Sequence, residues 1–208
     1  MKKVMDKLLN NIKFDKKYVL FSIILVILGI LTGSLFITIL NDTDKSIVIE
    51  YIESFINSIN ENKVNLNNFY NNIINNVIVI TIITIIGFTY FLIPINLLVL
   101  FYKSFVIGFS LSSFILTYKI KGLIFSIFYI FPHMIINILL FSLLTSFTLK
   151  LSINMIKYII KGKSINLKNY FNRYFSIFIF SIIIIFITTL YETYIIPYIL
   201  KFIIKILI

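Results

Sequence analysis

A chain of 208 residues with 60% hydrophobic side chains, a net charge of +11 and only 8 acidic residues has too little polar surface to close over its apolar content as a soluble domain. The mean hydropathy of +1.02 marks an integral membrane protein, and the absence of cysteine excludes a disulfide framework, a thiolate metal site and a cysteine nucleophile. Nucleic-acid binding is excluded as the meaning of the charge, because the basic residues border apolar spans, where anionic inner-leaflet lipid attracts them.

The first basic cluster, Lys2, Lys3, Lys7, Lys13, Lys16 and Lys17, forms an N-terminal segment over 1–17. Tyr18 to Leu40 follows as the first span, long enough to cross the hydrocarbon. Its basic approach and the lack of a small-residue cleavage site read as an uncleaved anchor rather than a signal peptide. Gly29 and Gly33 within it make a small-residue pair of the kind that lets helix backbones approach. Residues 41–76 form an outer segment carrying Asp42, Asp44, Glu50, Glu53 and Glu61 against Lys45 and Lys63. Between Ile47 and Glu61 the period is helical: Val48, Ile52, Phe55, Ile56 and Ile59 share one face, and Glu50, Glu53, Asn57 and Glu61 the opposite one. Two readings stay open for this amphipathic helix. It lies on the bilayer or on the other spans, or its acidic stripe, with Glu50, Glu53 and Glu61, docks a basic extracytoplasmic partner.

Residues 77–118 are too long for one span and are interrupted by Pro94 and Lys103. They are expected to form spans two and three around a tight inner turn between Ile93 and Ser104, because proline breaks the helical hydrogen-bond ladder. Gly108 and Ser112 make a second small-residue pair. Residues 122–149 form the fourth span, 150–173 a basic inner linker with Lys150, Lys157, Lys161, Lys163, Lys168 and Arg173, 174–200 the fifth span, and 201–208 an outer tail. Cytoplasmic flanks collect Lys and Arg, so both clusters face inward and an even number of crossings separates them. The expected fold is an all-α bundle of about five transmembrane helices with an extracytoplasmic amphipathic helix, the N-terminus cytoplasmic and the C-terminus outside.

So little chain lies outside the spans that catalysis would have to occur within the membrane. A zinc protease needs two histidines on one helix face, and His133 is the single histidine. A serine–histidine pair lacks any nucleophile-elbow context. No catalytic, cofactor-binding or metal-binding residue is assigned. Glu192 is the only acid inside the spans, far enough beyond Arg173 along the helix to lie towards the outer interface. Glu192 and His133 are the costliest groups to hold in lipid, which makes each a functional candidate. Each also has a structural reading. The His133 ring can bond a carbonyl that Pro132 leaves free, and Glu192 can pair with Lys119 or Lys121 or reach headgroup water.

Four segments taken in order carry a resemblance: Asn75-Asn76-Val77 opening a span with Gly87, Lys103-Ser104-Phe105-Val106-Ile107-Gly108-Phe109, Pro132-His133-Met134-Ile135-Ile136-Asn137, and Glu192-Thr193-Tyr194-Ile195-Ile196-Pro197. Together they resemble the stage II sporulation protein M family. Many relatives outside sporulation have Pro-His-Gly with a Glu three residues later, where this chain has Met134 and Asn137. The resemblance implies a non-catalytic, multi-pass membrane protein of endospore-forming bacteria, sited in the mother-cell membrane at the septum. There it would hold two peptidoglycan-degrading partners, stage II sporulation proteins D and P, for engulfment. It adds Asn76, Gly108, Pro132 and Pro197 to His133 and Glu192 as candidate residues. The alternative from a different class is a permease-like component for a small solute or ion, with Glu192 and His133 lining a polar path.

Overall fold

The computed structural model describes residues 15–60, 66–161 and 167–207. The lysines before Asp15, Glu61 and the linker residues 162–166 lie outside that set. Among the described residues there are helices and no strands, and five helical stretches are long and apolar enough to cross a membrane. The chain is an all-α, multi-pass membrane bundle.

Helix α1 (Lys16–Ile39) is capped by Asp15, whose side chain accepts from the Lys17 backbone N–H at 3.3 Å. It buries one stripe, Ser22, Val26, Gly29, Gly33 and Ile37, and turns Leu20, Ile24, Ile27, Leu31 and Leu35 outward. That inside-out exposure suits a lipid-facing helix. Helix α2 (Asp42–Asn60) follows after a short bend and packs its apolar face on the bundle, with Ile52 and Ile56 buried and Val48, Phe55 and Ile59 against the core. Of the two supports expected for this helix, the other spans rather than the bilayer receive its apolar face.

Helix α3 (Leu66–Phe88) starts well before Val77, where the second span was expected to open. The reversal after it falls at Thr89 and the 3-10 turn Tyr90–Leu92, closed by bonds from Thr89 N–H to the Ile86 carbonyl and from Leu92 N–H to the Thr89 carbonyl. This corrects the expected turn between Ile93 and Ser104. Pro94 occupies the first turn of the next helix, where its missing N–H has no intrahelical partner to lose, so it starts that helix instead of breaking it. Lys103 is consequently mid-span.

Helix α4 (Ile93–Lys161) is two arms joined at Lys119, whose φ of 52° and ψ of −127° reverse the chain. The arms run antiparallel: Asn96 bonds Thr148, Phe114 packs on Phe125 and Tyr129, and a Cβ at Gly122 would strike the Phe114 carbonyl oxygen. The first arm (93–118) lies parallel to α1 at backbone contact. A Cβ on Gly29 would come within 2.6 Å of the Ser104 Cβ, Gly33 abuts the Phe105 carbonyl, Gly108 abuts the Ile30 carbonyl, and Ser34 donates to the Gly108 carbonyl at 3.2 Å. The second arm (120–161) is the centre of the bundle: 67% of its spanning stretch is buried, against 17–28% for the other four. It continues to Lys161, well into the region expected as an inner linker.

Helix α5 (Leu167–Leu190) leads into a π turn (Tyr191–Ile195) and then α6 (Ile196–Leu207). The Ile196 N–H reaches back five residues to the Tyr191 carbonyl, and Pro197 follows with no N–H to offer. The outer tail expected from residue 201 is helical through Leu207, with Leu200, Ile203 and Ile204 buried.

Candidate functional site: a polar cavity within the spans

Asn72, Asn75 and Asn76 stand at i, i+3 and i+4 on α3, one helical face. Lys103 lies on the first arm, about 15 Å along the helix from Ile93. His133 and Asn137 occupy one face of the second arm, and Glu192 sits in the π turn. These side chains line a cavity of about 190 Å³, completed by Val106, Ile107, Met134, Ile138 and Phe141. So polar a constellation inside an apolar bundle is expensive, which is why intramembrane ionisable groups point to function.

The hydrogen bonds fix some of these groups and leave others open. Asn72 donates from Nδ2 to Glu192 Oε1 at 3.0 Å. Thr188, one turn before Glu192, donates to Asn137 Oδ1 at 2.7 Å, so the amide N–H groups of Asn137 are what remains to bind a guest. His133 is 2% exposed; its Nε2 stands 3.6 Å from Glu192 Oε1, beyond a hydrogen bond, and neither ring nitrogen has a hydrogen-bond partner. The Tyr129 ring packs edge-on against it at 5.7 Å. Lys103 makes no ion pair among the described residues.

Two expected pairings are corrected by this geometry. Glu192 meets Asn72 and His133, while Lys119 and Lys121 are exposed at the corner between the arms. The His133 ring makes no bond to a carbonyl freed by Pro132; it is directed to the carboxylate side instead. Glu192, His133 and Asn76 come together in the cavity. Pro132 immediately precedes His133, and Pro197 lines a second cavity of about 520 Å³ on the other side of Glu192, roofed by Tyr51, Phe55, Ser58 and Ile59 of α2. Asn72 and Glu192 border both cavities. Gly108 belongs to the α1 contact. Glu50 and Glu53 are exposed on the face of α2 that points away from the bundle. No three of the His, Asp and Glu side chains among the described residues gather as metal ligands would.

Lys103, Asn72, Asn75 and Asn137 were not singled out as site residues from sequence. The signals were present: a lysine with no acidic neighbour inside an apolar run, and asparagines at helical spacing.

The stage II sporulation protein M family profile matches residues 22–197, from inside α1 to the proline after the π turn. The chain belongs to that family. Comparison with curated proteins and with solved structures yields no match. The family match reaches into all five crossings and includes every residue that lines the cavity, so the site falls within the family unit.

Proposed function

We propose that this sporulation-family membrane protein is a non-catalytic scaffold that holds peptidoglycan-degrading enzymes, stage II sporulation proteins D and P, at the septal mother-cell membrane for engulfment. One observation supports this reading most. Helix α2 is anchored by its apolar face to the protein's own spans and therefore presents Glu50 and Glu53 on a supported outer surface. An acidic face gains nothing from anionic lipid, whereas it steers a basic protein patch. Reversing Glu50, Glu53 and Glu61 to Lys leaves insertion intact, since acidic residues contribute little to orientation, and lowers co-purification of the two enzymes from engulfing cells. Undiminished co-purification at normal protein levels removes α2 as the recruiting surface.

The cavity between α3, α4 and the π turn favours a second reading, a permease-like component for a small solute or ion. Solute or ion flux in reconstituted vesicles that depends on Glu192 separates it from the scaffold.

A further inference from the structure

Lys103 and Glu192 line the same cavity, yet the two charges do not pair with each other. A charge held at membrane depth without a counter-charge is costly. The groups around it divide by chemistry. Lys103 and the amide of Asn137 offer positive charge and N–H donors, whereas Glu192 offers acceptors and the unpartnered, 2%-exposed ring of His133 adds one acceptor nitrogen beside its N–H. A lone metal cation would face Lys103 across the cavity, and a simple anion would face Glu192. A guest carrying both charges satisfies both walls.

The mouth indicates where such a guest enters. Asn75 and Val106 line the cavity and are exposed, and their neighbours on the same faces, Ile78 and Tyr102, are exposed too. The opening therefore lies between α3 and the first arm of α4, on a surface otherwise built for lipid. At about 190 Å³ the cavity is smaller than the roughly 300–1,000 Å³ of sites that take drug-sized ligands, and suits a head group of a few heavy atoms.

We propose that this cavity binds a zwitterion with a phosphate and a primary amine: the phosphate is held by Lys103 and Asn137, and the ammonium by Glu192. The source is the head group of phosphatidylethanolamine entering between α3 and α4, or a free solute of the same chemistry. This binding is independent of enzyme recruitment by α2.

The test uses the full chain in detergent, with native mass spectrometry of added phosphatidylethanolamine, phosphatidylcholine and phosphatidylglycerol, and soluble phosphoethanolamine as competitor. Phosphatidylethanolamine is retained about tenfold over the other two, as charge-assisted hydrogen bonds to a primary ammonium require. Glu192→Gln brings the ethanolamine and choline lipids to equal retention, because the carboxylate that tells them apart is gone. Lys103→Gln lowers both alike. A lipid preference that phosphoethanolamine does not displace assigns the site to the membrane; binding of phosphoethanolamine without a lipid preference assigns it to the solute. Equal retention of all three lipids by the unaltered protein, with no binding of phosphoethanolamine, overturns the proposal without recourse to any variant. So does a preference that both variants preserve.

Discussion

Glu192 can be tested through its bonding partner, because the Asn72 amide donates to it across 120 positions of sequence. Asn72→Asp places a second carboxylate where the donor was and converts a hydrogen bond into a like-charge contact. The expected cost is about 1–3 kcal/mol, the range for a buried polar group left unsatisfied, read as a lowered melting temperature of the purified protein. Combining Asn72→Asp with Glu192→Gln exchanges acid and amide, so the Gln donates to the Asp and most of the loss is recovered. Failure of the double variant to recover would show that Glu192 is held by something other than Asn72. Glu192 and His133 were legible as ionisable residues in apolar runs, and their chemistry alone raised them as candidates. Their partners were not. Pairing across five helices depends on which faces meet, and no local pattern in the chain encodes that. Lys103 shows the opposite error: a lysine near a proline reads as a turn flank when it is a mid-span residue facing a cavity.

At the scale of elements, the joint between the two arms of α4 carries a backbone conformation that a lysine rarely adopts. Lys119 has φ of 52°, and such a conformation costs a non-glycine residue about 1–3 kcal/mol. Lys119→Gly is therefore expected to stabilise the protein by about 1 kcal/mol, seen as a higher melting temperature in the same detergent. Gly122→Val acts in the reverse direction, because its side chain would strike the Phe114 carbonyl where the arms close. If Lys119→Gly melts lower instead, the reversal at that residue is wrong. Hydropathy and length made the number of crossings readable, since each span needs about twenty apolar residues. The reversal between α3 and α4 was misplaced because proline's effect depends on position: inside a helix it breaks the ladder, and in the first turn it does not. The extension of α3 back to Leu66 was hidden by its asparagines, which look like loop residues until the cavity they face is known.

For the whole molecule, the contacts sort the helix ends into two sides. Lys150 lies 3.9 Å from Asp15, and Ser152 donates to the Gly87 carbonyl at 3.3 Å, so the start of α1, the end of α3 and the lower part of the second arm share one side. The parallel packing of α1 on the first arm puts the start of that arm there as well. The opposite side holds α2, the Lys119 corner and, by alternation, the end of α6. Lysines mark both sides, with Lys45, Lys119, Lys121, Lys201 and Lys205 on the second. In sequence the N-terminal cluster and the series from Lys150 to Arg173 adjoin the first side, whereas five of the eight acids, Asp42, Asp44, Glu50, Glu53 and Glu61, adjoin the second. Counting basic residues near the span ends then predicts that the first side is cytoplasmic. A reporter active only outside the cytoplasm should accordingly be active when inserted near Asn60 or fused after Ile208, and silent near Gly162. The three positions test different parts of the arrangement. Activity at Gly162 with silence at Asn60 would invert the whole bundle, and would carry the acidic face of α2 into the cytoplasm, away from any extracytoplasmic enzyme. Silence at Ile208 alone would leave the first four crossings in place and require α5 and α6 to turn back at the π turn. That outcome would also move Glu192 from the wall of a cavity inside the bundle to a re-entrant bend.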